Sequence, residues 1–235
     1  NKYIIIHKVG DDVKLLTRGF IIFLIYFLYS FFLFLPLELL TINFQTLPSS
    51  IKIIYLLGTD LLFVLLLIVV YFKDLTKDYQ DFKTNYHIYI DESIKYWIIG
   101  LILMVVSNVL ITTLTPSGTP PNEVAVRDML TKLPLYTFFG ATIFAPLVEE
   151  LIFRKALFDI IKNKWVYVLM SGFIFGFLHV ITSYHHYYEL FFIIPYGSLG
   201  CAFAYLYYKT KNIINPILVH TIHNTGLVLL FLFTK

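Results

Sequence analysis

Seven windows of about 20 mostly apolar residues follow one another along the chain, near 19–41, 53–72, 96–115, 133–161, 165–182, 189–208 and 212–233, each long enough to cross about 30 Å of hydrocarbon at 1.5 Å per residue. A segment in lipid must satisfy its backbone hydrogen bonds internally, so windows of this length read as helices. With 58% of 235 residues hydrophobic and 14% charged, the chain carries more apolar surface than a soluble core would hide. The pattern predicts an all-α, polytopic membrane protein with about seven transmembrane helices and a buried polar site in the C-terminal ones.

The first window is long and no small-residue cleavage site follows it, so it is expected to remain as an anchor. The single cysteine, Cys201, falls inside a window, which leaves neither a disulfide nor a cysteine-based metal site and makes it a small core residue. No polar stretch is large enough for a soluble domain. The expectation is one membrane domain over 1–235, with three spans in 1–115 and a second part in 120–235. The segment 73–95 is expected on the cytoplasmic surface. PSGTPP, 116–121, dictates a turn or extended path, and NEVAVRDMLTKL, 122–133, a short interfacial helix.

Lysines and arginines set orientation. Lys2, Lys8, Lys14 and Arg18 precede the first window, and Lys73, Lys77, Lys83 and Lys95 join the second to the third. Lys155, Lys162 and Lys164 follow the fourth, Lys209 and Lys211 the sixth, while the other side has Lys52, Arg127, Lys132 and Lys235. A cell-membrane protein with a cytoplasmic N-terminus and an outside C-terminus is expected. A net charge of +3 gives no support for nucleic-acid binding.

Against this apolar background, Glu149, Glu150, Arg154, His179, His220 and Asn224 all lie within windows. A charged side chain at the centre of a membrane helix costs roughly 2.5–3.5 kcal/mol on insertion scales, so the group demands compensation. Glu150 and Arg154, four apart, share a helix face and can pair. Glu149, about 100° round the helix, is left to face a neighbour or water. Counted from the lysine-rich ends of their windows, Glu149 lies roughly 18 Å deep, His179 21 Å, His220 12 Å and Asn224 18 Å. Three helices can therefore bring them to one cavity.

That set suits amide hydrolysis. A desolvated Glu149 could take a proton from water, His179 could hold that water, and His220 with Asn224 could donate to the oxyanion. Glu149, His179 and His220 could equally hold a divalent metal such as Zn2+, which also activates water. Both mechanisms are open at this level.

APLVEELIFR, FGFLH and HTIHN resemble, in order, the three motifs of the CAAX-processing and bacteriocin-immunity family of intramembrane proteases: E-E-x-x-x-R, F-x-x-x-H and H-x-x-x-N. The likeness covers about 120–230. It implies that Glu149 is the general base, that Glu150 and Arg154 support the site, that His179 assists at the water, and that His220 and Asn224 form the oxyanion side or metal shell. Lys155 departs from the family's frequent glycine, a change of packing or surface charge. The reading that follows is a membrane endopeptidase whose substrate is a membrane-anchored peptide or protein, met in the lipid bilayer at a site expected to open from the cytoplasmic half. Eukaryotic members cut after a prenylated cysteine, and bacterial ones are linked to peptide maturation and bacteriocin self-immunity. The Ile, Lys, Tyr and Asn usage suits an AT-rich bacterial genome.

Other polar residues read more plainly. His223 is set aside because it points about 100° from Asn224. Asp60 is read as meeting a helix partner or water, with a supporting or substrate-admitting role as the sharper reading. His185 and His186 belong to an interfacial aromatic belt. Two rivals remain: a catalytically silent scaffold or regulator that binds a membrane partner, and an ion-coupled transporter, for which inverted repeats would be the sign.

Overall fold

The computed structural model describes residues 2–116 and 118–234, the side chains of 2–9, 11, 30 and 31 excepted. Lys235 and Ser117 of the PSGTPP run therefore lie outside the described residues, as do the side chains of Lys2 and Lys8. The described residues are helices joined by short connections: α1 (Lys2–Phe32), α2 (Leu35–Leu39), α3 (Ser49–Leu114), α4 (Pro121–Lys132), α5 (Pro134–Ile160), α6 (Lys164–Ile181), α7 (Ile193–Thr210) and α8 (Ile214–Phe233), with 3-10 turns at Phe44–Thr46 and Tyr187–Phe192. Among the described residues, five helices are long and apolar enough to cross a membrane. The chain is an all-α, multi-pass membrane protein.

Local chemistry sets the boundaries. Proline occupies a first-turn position of α2, α4 and α5, where its missing N–H is no loss. The Asn163 side chain caps α6 by accepting from the Trp165 and Val166 amides at 3.0 and 3.1 Å, satisfying two of the orphan donors at a helix start.

The five-helix count differs from the seven windows partly because the second and third share α3. Straight, its 66 residues would run roughly 99 Å, far beyond a bilayer. The backbone leaves helical geometry at Asn85 (φ −114°, ψ 19°), and the rings of Phe82 and Tyr89 stack at 6.0 Å, although seven residues of straight helix span roughly 10.5 Å. Asp81 accepts a hydrogen bond from Tyr89 across the bend and another from Asn212 Nδ2 at 3.2 Å. Asn212 also donates to the Asp78 carbonyl at 2.7 Å, and the Ile213 amide to Asp78 Oδ2 at 3.0 Å. The 73–95 segment is thus a bent helix of two arms that clasps the α7–α8 turn. Arg18 ties this same end together, meeting Asp74 at 2.6 Å and Asp159 at 2.7 Å.

Packing inside the bundle relies on aromatic rings and on the absence of side chains. Phe153 of α5 has edge contacts with Tyr26 of α1 at 5.5 Å and Phe175 of α6 at 5.9 Å. Helices α6 and α7 touch backbone to backbone: a Cβ on Gly176 would stand 2.5 Å from the Ile193 carbonyl oxygen and 2.7 Å from the Gly197 nitrogen. Close approach through glycine is how membrane helices gain contact when lipid supplies no hydrophobic drive. Cys201 sits in the same seam, its thiol 3.5 Å from the Val168 carbonyl.

Candidate active site

Helix α5 is α-helical only in pieces. Two π turns, Gly140–Phe144 and Leu151–Ala156, flank the short α segment that bears Glu149 and Glu150. Each π turn frees a carbonyl, and each carbonyl is taken by another helix. The Ala145 amide bonds back to Gly140, and the next residue, Pro146, has no N–H. Ala141 is therefore left to accept from Asn224 Nδ2 of α8 at 2.8 Å. In the second turn the Leu157 amide passes over Phe153, whose carbonyl accepts from Ser171 Oγ at 2.7 Å. Such π insertions recur at functional sites because they re-aim side chains.

Glu150 and Arg154 form the ion pair expected from their spacing, with Oε2 2.9 Å from Nε and both side chains 0% exposed. The guanidinium also lies over the Phe175 ring at 4.8 Å and the Phe203 ring at 5.9 Å, an arrangement that favours the cation in a dry setting. Glu150 has a second partner that the sequence did not announce. Its Oε1 accepts from His220 Nδ1 at 2.8 Å. With the proton of a neutral imidazole committed to Nδ1, Nε2 presents a lone pair, and it faces Glu149 Oε2 at 3.7 Å.

His179 is set the same way by different means. Its Nδ1 lies 2.9 Å from the Phe175 carbonyl, which can only accept, so Nε2 is again the free position. The ring is held between Phe175, at 4.2 Å, and Tyr196, at 5.0 Å. Phe175 meets the His220 ring as well, at 5.8 Å, and so touches both imidazoles.

Glu149, His179, His220 and Asn224 all line one cavity of about 870 Å³. Glu149 Oε2 is buried and has no hydrogen-bond partner, an acceptor aimed at the cavity and at an imidazole. A smaller chamber of about 150 Å³ also reaches Glu149 and His179, past Tyr26 and Asn122. The large cavity continues to Leu130 of α4 and Leu227 of α8, away from the end where Arg18 and Asn212 sit. The lysine-rich half was the expected opening, and the cavity extends the other way, where residues of α4 help to line it.

Two residues read as bland prove to line the cavity. His223 is buried, and its Nδ1 accepts from Trp97 Nε1 at 3.4 Å. Its distance round α8 from Asn224 does not carry it out of a cavity this wide. Asp60 accepts from Tyr29 at 2.7 Å and Tyr136 at 3.1 Å, the helix partners anticipated for it. Lys155 pairs with Asp74 at 3.3 Å. His185 and His186 are exposed, and their amides donate to Glu189.

The donor types of Glu149, His179 and His220 suit zinc, and each imidazole has the outer hydrogen bond that orients metal ligands. Their spacing does not: among the described residues no three His, Cys, Asp or Glu side chains are grouped so as to hold an ion.

Comparison with known proteins finds similar sequences over the part of the chain that holds this site. Residues 131–226 match the family model described as type II CAAX prenyl endopeptidase Rce1-like. The chain is 31% identical over 112 residues to the Bacillus subtilis (strain 168) protein named "Putative membrane peptidase YdiL", covering 46% of this chain and 42% of that one. It is 31% identical over 137 residues to the membrane-embedded CAAX protease MroQ of Staphylococcus aureus (strain USA300), covering 54% and 51%. With the UPF0177 protein YxdF of Lactococcus lactis subsp. lactis (strain IL1403) it shares 29% over 132 residues, covering 54% and 71%. The chain thus spans about half the length of YdiL and of MroQ. No solved structure gives a significant match. Residues 131–226, which hold Glu149, Glu150, Arg154, His179, His220 and Asn224, are thus similar to the Rce1-like type II CAAX prenyl endopeptidases.

Proposed function

We propose that the protein is an intramembrane endopeptidase in which Glu149 activates water to hydrolyse a peptide bond of a membrane-associated peptide or protein. The observation that carries this reading is the buried, unpartnered Glu149 Oε2 in the cavity wall, 3.7 Å from His220 Nε2. Glu149 removes a proton as water oxygen adds to the carbonyl carbon, and returns it to the leaving nitrogen as the C–N bond breaks. His179 Nε2 accepts from the same water and fixes its direction. Asn224 retains one amide N–H after serving Ala141, and donates it to the oxyanion, where low dielectric strengthens the bond. His220, oriented by Glu150, donates from Nε2 when protonated.

The basic ends gathered beside Arg18 and Asn212 support a cytoplasmic N-terminus, and the cavity then faces the outer half of the bilayer. A role in peptide maturation or bacteriocin self-immunity is what the resemblance of its three motifs implies. The test is cleavage of a bilayer-embedded reporter peptide by the protein in nanodiscs, read by mass spectrometry, with Glu149→Gln beside it. A loss of about 10²–10⁴-fold is expected from removing a general base. Cleavage that survives the substitution would overturn the mechanism, and a complete lack of cleavage by the wild type across reporters would favour the silent scaffold.

A further inference from the structure

A carboxylate that enters a membrane span is expensive, and one whose partners are all neutral is more so. Asp60, in the first arm of α3, is such a group. Its Oδ1 accepts from Tyr29 of α1 at 2.7 Å and its Oδ2 from Tyr136 of α5 at 3.1 Å, and among the described residues it belongs to no ion pair. Tyr29 is fixed in turn by stacking on Phe63 at 4.4 Å and 10°. The two phenols each engage one oxygen and leave the other lone pairs free. Joining three helices requires only a neutral acceptor, and asparagine would supply that at lower desolvation cost.

Asp60 opens on the same cavity as Glu149. Among the described residues the cavity's charges do not balance: Asp60, Glu123 and Glu149 are its acids, and its one arginine, Arg127, is paired with Glu123 on α4. From the Arg18–Asp159 ion pair, α1 rises roughly 16 Å to Tyr29 and α5 roughly 15 Å to Glu149. From the Arg18–Asp74 pair, α3 rises roughly 21 Å to Asp60. The two carboxylates therefore stand at levels that differ by about 6 Å, within reach of one extended peptide, which advances about 3.3 Å per residue.

We propose that Asp60 is a specificity-determining residue that binds a cationic group of the substrate, so that the substrate class is an apolar peptide with a positive charge within a few residues of the bond cut. The inference rests on the peptidase reading above and adds the substrate's charge to it. A lysine or arginine side chain and a free amino terminus offer the same chemistry.

The test uses the full chain in nanodiscs and reporter peptides that carry lysine, norleucine or glutamate at each position flanking the cut, with free or acetylated amino termini. A charge-assisted hydrogen bond contributes about 1.5–3 kcal/mol, which is roughly 10–150-fold. At one position wild type should prefer lysine to norleucine by at least tenfold in kcat/KM, or, if the amine is what binds, free to acetylated termini. Asp60→Asn should erase that preference while leaving norleucine reporters within about twofold, Asp60→Glu should restore part of it, and Asp60→Lys should favour the glutamate reporter. Equal cleavage of all three reporters by wild type with no preference for free over acetylated termini, or an equal fall on every reporter in Asp60→Asn, would overturn the proposal and leave Asp60 a helix tie. Binding of the same peptides to Glu149→Gln, read by fluorescence anisotropy, separates this inference from the reaction mechanism. If lysine and amine peptides bind that variant no tighter than their neutral partners, charge recognition fails whether or not turnover is ever seen.

Discussion

His220 Nδ1 and Glu150 Oε1 meet at 2.8 Å from positions 70 residues apart, so the carboxylate that neutralises Arg154 also aims the imidazole at Glu149. Glu150 therefore has a structural and an orienting duty, and the two can be separated. Arg154 is fully buried, and removing Glu150 leaves that charge uncompensated, a loss of about 3–5 kcal/mol in comparable buried pairs. Glu150→Met should lower the unfolding midpoint in detergent sharply, whereas Glu149→Gln should not. In the double variant Glu150→Met with Arg154→Met the charge problem disappears and most of the stability should return. Peptide cleavage should not, because the His220 ring has lost its orienting acceptor. Recovery of both would show that the pair acts only in packing.

The fold and the site were legible in the sequence to different depths, for physical reasons. Apolar length announces a span, and four-residue spacing announces the Glu150–Arg154 pair, because both are local. The bend at Asn85 was hidden, since 73–95 is polar and helical at once and only its clasp on Asn212 shows it to be a hinge. The partners of Asn224 and Ser171 were hidden too. They answer carbonyls freed by π turns, which depend on register, although Pro146 was a visible clue to the first. His223 and Asp60 were undervalued because helical angle was read without cavity width. The cavity's direction depended on where α4 folds, and PSGTPP announces a turn without giving its heading.

The glycine seam between α6 and α7 should be intolerant of even one methyl. At Gly176 a Cβ would meet backbone atoms of Ile193 and Gly197 at 2.5 and 2.7 Å, and backbone cannot swing aside as a flexible side chain can. Gly176→Ala should destabilise by about 1–3 kcal/mol through overpacking. Gly226→Ala, in α8, meets nothing within 4 Å and should be neutral or stabilising by up to about 1 kcal/mol from helix propensity. Unfolding midpoints of the two variants in the same detergent check the contrast, and equal shifts would refute the close contact.

Metal dependence has a direct measurement. Glu149 and His220 come together, Phe175 packs on both His220 and His179, and among the described residues no third ligand is grouped with them. A strong chelator followed by desalting should leave reporter cleavage within about twofold, against the 10²–10⁴-fold lost with Glu149→Gln. Loss on chelation with recovery on adding zinc would instead make His179 a third ligand, and would require its ring to move toward Glu149 and His220.

Orientation can be read because the chain has one native thiol. Cys201 lies in the α6–α7 seam, so Cys201→Ser should supply a quiet background for a cysteine placed at Lys132, whose side chain is 65% exposed at the end of α4. The basic residues beside Arg18 and Asn212 favour that end for the cytoplasm, which puts α4 and the cavity beneath it on the outer side. In intact cells a membrane-impermeant maleimide should label Lys132→Cys without permeabilisation and should label Lys162→Cys, at the α5–α6 turn, only after it. The reverse pattern would turn the cavity toward the cytoplasm, and substrates would then be sought among peptides anchored on the inner leaflet.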